Sequence, residues 1–112
     1  MKYALLIYSD GAAWESLSED EQKAAYGEYM AISETPGVTN GLQLQPESTA
    51  TTVRVDDGRT LTTDGPFVDM KEVLGGLYLF EADDLDAAIE IAARIPAARM
   101  GGAVEVRPIV ER

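Results

Sequence analysis

The opening run Tyr3-Ala-Leu-Leu-Ile-Tyr8 constrains this chain more than any other segment, because it is apolar on both sides of a strand. With the period-two alternation of a strand, Tyr3, Leu5 and Ile7 take one sheet face and Ala4, Leu6 and Tyr8 the other. Neither set suits water, so the run predicts a central strand buried on both faces. A fold that starts this way needs two covers for one sheet.

The segments that follow supply one of them. Ser18-Glu19-Asp20-Glu21 has the spacing of a capping box, with Ser18 as N-cap and Glu21 reaching back, and its acidic residues suit the helix dipole. It predicts a helix over residues 19–33, stopped by Pro36-Gly37. Gly41-Leu-Gln-Leu-Gln45 alternates and predicts a short edge strand before Pro46. Residues 51–56 and 59–63 flank Asp57-Gly58, the pair a type I′ turn demands because both central residues need positive φ. In that register Asp56 faces Arg59.

Beyond the loop at Asp64-Gly-Pro-Phe67, Gly75-Gly76 introduces the strand Leu77-Tyr-Leu-Phe-Glu81. Asp83-Asp84 caps a second helix, with Leu85, Ala88, Ile89 and Ala92 on one stripe and Pro96 at its end. Ala103-Val-Glu-Val-Arg107 reads as the last strand. The order is β-α-β, a hairpin, then β-α-β. Right-handed crossovers turn it into an α+β, ferredoxin-like two-layer sandwich with an inserted β-hairpin, a single domain over residues 1–112. Both helices then lie on one sheet face. The simplest cover for the other is a second copy, so a homodimer across a two-fold axis is expected.

Composition removes whole classes of chemistry. The 112 residues contain no cysteine and no histidine. Disulfides, thiol nucleophiles, Ser-His triads and His-rich metal sites are thereby excluded, and acid/base work falls to Asp, Glu, Lys or Tyr. Nine Lys+Arg against twenty Asp+Glu give a net charge of -11, and the basic residues are scattered. Direct nucleic-acid binding needs a concentrated basic surface, so none is expected. No stretch reaches the length of a membrane span, and the expected location is the cytoplasm.

Few residues carry a chemical signal. Asp64 reads either as the first residue of an Asx turn or as an acid/base carboxylate. By period-two counting it shares a face with Val53, Val55, Thr60 and Thr62, and a covered face would desolvate it and raise its pKa. Arg54, on the other face, reads as an anchor for an anionic ligand or as an exposed strand arginine. Lys71 and Glu72 either pair in solvent or line a cleft mouth. Tyr8, Tyr78 and Phe67 either stack on a flat ligand or fill the core. Trp14, between the first strand and helix, closes one end of a cleft or packs on the helix start.

Gly75-Gly76 lacks the context of a phosphate loop and reads as a bulge or close backbone approach. Asp83, Asp84 and Asp86 are explained by capping, and neither a metal nor another cofactor is expected.

Several of these segments together resemble one family. Lys2-Tyr-Ala-Leu-Leu-Ile-Tyr8, Thr49-Ala-Thr-Thr-Val-Arg54, Thr62-Thr-Asp-Gly-Pro-Phe67, Lys71-Glu72, Leu74-Gly-Gly76 and Val104-Glu-Val-Arg-Pro108 resemble the DGPF branch of the YCII-related family. The resemblance covers nearly the whole chain. It implies a dimeric α/β-barrel-like assembly with a ligand-sized cleft. Some YCII-related proteins carry a His-Asp pair proposed as catalytic, including a dehydrochlorinase acting on an aromatic ring. This chain has no histidine to complete that pair, so only an aspartate carries over, onto Asp64. The DGPF branch also looks linked by gene neighbourhood to extracytoplasmic-function sigma factors.

Two functional expectations follow. One is a dimeric small-molecule-binding domain, either a binder or an enzyme using Asp64 as acid/base, with Arg54, Phe67, Tyr8, Tyr78 and Lys71 around the ligand. The other is a regulatory module that contacts a sigma factor through its acidic surface.

Overall fold

The computed structural model describes residues 1–68 and 71–112. Its elements are β1 (Lys2–Ser9), α1 (Gly11–Glu15), α2 (Glu19–Ser33), β2 (Val38–Gln43), β3 (Thr51–Asp56), β4 (Arg59–Asp64), β5 (Val73–Glu81), α3 (Leu85–Arg94) and β6 (Ala103–Pro108). Strands β2, β5, β1 and β6 form an antiparallel sheet in that order, while β3 and β4 pair only with each other. A mixed α+β architecture with this strand order is compatible with the ferredoxin-like sandwich.

The local signals behave as their chemistry requires. Ser18 and Glu21 form the reciprocal capping box, with the Glu21 N–H donating to the Ser18 hydroxyl at 3.1 Å. Asp84 caps α3 by accepting the Ala87 N–H at 2.9 Å. At the hairpin, Asp57 and Gly58 have φ of 51° and 76°, the signs of a type I′ turn, and Asp56 pairs with Arg59. Gly75-Gly76 is both of the things expected of it. The β1–β5 register slips there, with Ile7 opposite Gly76 and Tyr8 opposite Leu74. A Cβ on Gly76 would stand 2.6 Å from the Leu42 carbonyl oxygen, so a side chain has no room against strand β2.

Helices α2 and α3 cover one face of the sheet. Tyr3, Leu5, Ile7, Tyr78 and Phe80 meet Ile32, Ala88, Ile91, Ala92 and Ile95 in one core, and Leu5 and Ile95 are fully buried. The buried stripe of α3 differs from the expected one. Leu85 and Ile89 are each 48% exposed, and Ala88, Ile91 and Ala92 face the sheet, with Ile95 continuing their line. The spacing i, i+3, i+4, i+7 from Ala88 joins two alanines, which let the helix approach closely, to two isoleucines that fill the gap. A stripe centred on Leu85 would give up both isoleucines.

Two further expectations are corrected. The edge strand runs from Val38 to Gln43, not from 41 to 45, because Gly37 (φ 96°) turns the chain straight into pairing with β5. Strand β1 is buried on one face only within a single chain. Tyr3, Leu5 and Ile7 are buried, whereas Ala4, Leu6 and Tyr8 are half-buried, with strands β5 and β6 beside them and no second layer over them among the described residues. The hairpin β3–β4, called the arm below, does not fill this place. Almost all of it is exposed, including Val53 at 59% and Val55 at 70%.

Two outcomes follow from these contacts. Leu5→Ala removes a fully enclosed side chain and should cost about 2–5 kcal/mol in urea denaturation. Gly58→Val meets no steric contact but must hold a positive φ, so it should cost more than about 1 kcal/mol, read as a lowered denaturation midpoint. An unchanged midpoint would mean that the turn contributes nothing to stability.

Candidate functional site

β1 finishes where β5 begins, and the bulge falls there, between Ile7 and Tyr8 on β1. On β1, Tyr8 lies on the open face, opposite Leu74 of β5 and Ala103 of β6. The next residues turn into α1, which is helical where a loop was expected. Asp10 starts it, accepting the Ala12 N–H at 2.9 Å with one carboxylate oxygen. Its other oxygen lies 3.6 Å from the Lys71 ammonium. Lys71 therefore pairs with Asp10 rather than with Glu72 and ties the chain after the arm to the end of β1.

Beside this pair lies a small hollow of about 40 Å³, lined by Ser9, Asp10, Trp14, Tyr29, Met100 and Gly102 among others. Trp14 packs edge-on against Tyr26, midway along α2, with ring centroids 5.2 Å apart. Asp10 was not singled out from the sequence. Its signal was legible: Asp10 precedes Gly11-Ala-Ala-Trp14, a short apolar turn that an N-cap aspartate stabilises.

The arm carries the other candidates. The predicted register holds, with Thr51 opposite Asp64, Val53 opposite Thr62 and Val55 opposite Thr60. Asp64 does share their face, yet that face is open and Asp64 is exposed, so the expected desolvation is absent in one chain. Nor is the turn an Asx turn among the described residues, where no backbone N–H donates to the Asp64 carboxylate. The backbone closes it instead. Gly65, at φ 101°, donates its N–H to the Ala50 carbonyl at 2.7 Å, and the Thr52 hydroxyl donates to the Gly65 carbonyl at 2.8 Å.

Arg54 sits on the opposite arm face with its guanidinium 4.6 Å from the centre of the Phe67 ring. Such a contact leaves the guanidinium edge free for an anion.

Tyr78 is elsewhere. It faces the helices and donates its hydroxyl to the Tyr29 carbonyl at 2.9 Å. A Cβ on Gly41 would touch its ring, so the ring is held tightly against the edge strand. Tyr8 and Tyr78 are thus on opposite faces of the sheet and cannot stack on one ligand. Burial holds the phenols of Tyr29 and Tyr78 above the ordinary tyrosine range. No charged side chain is buried among the described residues, and no cluster of three potential metal ligands forms there.

These environments make three outcomes explicit. Asp64→Asn should leave stability within about 0.5 kcal/mol, because an exposed carboxylate with no local donor loses nothing. Asp10→Ala, which removes the cap and the Lys71 partner together, should cost about 1 kcal/mol or somewhat more. Both changes are read by chemical denaturation. For Tyr29 and Tyr78 the raised folded pKa means that their contribution is intact below the unfolded value of about 10 and is lost as pH rises through the folded value. The melting temperature should therefore begin to fall above about pH 10.

Comparison with known sequences places the chain among relatives. The YCII-related domain family matches over residues 1–112. An uncharacterized protein of Rhizobium meliloti (strain 1021) is 32% identical over 114 residues, covering 97% of this chain and 92% of that protein. On both grounds the chain belongs to the YCII-related domain family.

Proposed function

We propose that the protein is a homodimeric, single-domain small-molecule binder of the DGPF type, working in the cytoplasm. Its ligand is a small anion held where the arm leaves the body. Arg54 anchors the charge, Phe67 and Tyr8 supply apolar walls, and Lys71 adds a second cation at the rim. The observation that carries this reading is the open apolar surface. The Val53 and Val55 face of the arm and the Leu6 and Leu77 face of the sheet both lack a cover in one chain. Assembly would close the site and exclude water from it.

Catalysis enters this reading only through the assembly. An exposed carboxylate is a poor general base, since water stabilises its charge and competes for the proton. Asp64 is exposed in one chain, so only the cover of a second copy would shield its carboxylate from water. A covalent mechanism has no support, as no nucleophile here has a base beside it. The second reading, a regulatory module for a basic partner such as a sigma factor, is favoured by one observation, the net charge of -11.

Light scattering over a concentration series should give twice the 12.1 kDa of one chain at micromolar concentration. With benzoate as an anionic aromatic probe, amide resonances of Tyr8, Arg54 and Phe67 should shift, and Arg54→Leu should weaken the effect about tenfold or more. A monomer whose arm residues ignore the probe would refute the reading. Asp64→Asn should bind the probe like the parent, and only turnover of a true substrate would separate the two.

A further inference from the structure

Arg54 has a companion. Arg54 pairs with Leu61 and Asp56 with Arg59, so strand alternation puts Thr52, Arg54 and Asp56 of β3 on one arm face with Arg59, Leu61 and Thr63 of β4. Resting on the small-anion reading, we propose that this face binds a phosphate monoester, a small molecule whose dianionic phosphate bridges the guanidinium groups of Arg54 and Arg59.

The turn brings the two arginines together. Asp57 and Gly58, both at positive φ, reverse the chain within two residues and return Arg59 beside the end of β3. Arg59 then stands diagonally across the ladder from Arg54 on the same face, a relation in which residues lie about 7–8 Å apart. Arginine side chains are long enough to meet one anion across that gap, and both are exposed.

Charge sets this pair apart. In a chain with twenty acidic residues against nine basic ones, most arginines near an acid are taken. Arg94 pairs with Glu90, Arg99 with Glu28 and Arg107 with Glu105. Among the described residues Arg54 and Arg59 form no ion pair, although Asp56 shares their face. Two like charges side by side repel, and an anion between them removes that repulsion while attracted by both. Lys71 at the rim shares its charge with Asp10, so Arg59 supplies the second full charge.

Shape selects the anion. The Arg54 guanidinium lies over the Phe67 ring, 4.6 Å from its centre, and stacking leaves the N–H edge to donate. Phe67 follows Gly65, whose φ of 101° bends the chain after β4 and whose N–H adds one more rung to the arm at the Ala50 carbonyl. A carboxylate has two oxygens in a plane and satisfies one guanidinium fork. A phosphate monoester has three terminal oxygens out of one plane, enough to accept from two forks that come from different strands. Leu61, opposite Arg54 and 46% exposed, offers the organic part of the ligand an apolar footing.

The rest of the chain limits the ligand's size. Setting these two positive charges aside takes the net charge from -11 to -13, so a long polyanion meets repulsion beyond the arm that a single phosphate group escapes.

Phenyl phosphate and benzoate share a ring and differ in the anion, so titrating each into isotope-labelled protein at neutral pH tests the dianion site. Phenyl phosphate should shift the amide resonances of Arg54, Arg59 and Leu61 and bind about tenfold or more tightly than benzoate. Arg59→Gln should remove that preference and leave benzoate affinity within about threefold of the parent. Its denaturation midpoint should not move, because Arg59 is exposed. Asp56→Asn, which takes the carboxylate off this face, should tighten phenyl phosphate.

A parent that binds both probes alike, or an Arg59→Gln variant that keeps the preference, would overturn the dianion site and leave the small-anion reading standing. Arm resonances that ignore both probes would refute both. A short single-stranded oligonucleotide that binds more tightly than phenyl phosphate would show that the face serves a polymer instead.

Discussion

The contact between Tyr3, Leu5 and Ile7 on one side of β1 and the Ala88, Ile91 and Ala92 face of α3 organises the molecule. It places the central strand under the helices, and β5 and β6 pair on either side of it. Two alanines in α3 bring the helix close, and Ile95 seals the end of the layer. Because α2 and α3 are spent on this face, no helix or strand among the described residues is left to cover Ala4, Leu6 and Tyr8. The need for a second cover is built into the first six apolar residues.

The same constraint decides where chemistry can happen. The core takes no charged group among the described residues, so every charged candidate, Arg54, Asp64 and Lys71 included, lies on or near the surface. A carboxylate in open water is unremarkable in reactivity, and its properties change only when something takes the water away. Asp10 is the partial exception. Its side chain is 14% exposed, but it is already occupied as helix cap and as partner of Lys71.

What was legible from the sequence was local chemistry, and what was not was the choice among several good faces. The capping box at Ser18, the cap at Asp84 and the Asp57-Gly58 turn are decided within a few residues, and each formed as read. The stripe of α3 was misjudged because Leu85 and Ile89 are as apolar as Ile91 and Ile95, and only the sheet beneath selects between them. The pairing of Lys71 with Asp10 was invisible because 61 positions separate them and Glu72 stood adjacent. For Asp64 the face was right and the burial was not, since burial depends on layers that period-two counting cannot supply. Tyr8 and Tyr78 looked alike as aromatics on inner strands, yet strand parity puts one in the core and the other on the open face.

The proposal at the centre of this account is that a second copy covers the open sheet face that carries Leu6 and Leu77. Light scattering of the parent and of Leu77→Asp across a micromolar concentration range tests it most directly. The account predicts a parent at twice the 12.1 kDa of one chain and a variant at the mass of one chain. A parent that stays at the mass of one chain, or a variant that pairs as well as the parent, would contradict it.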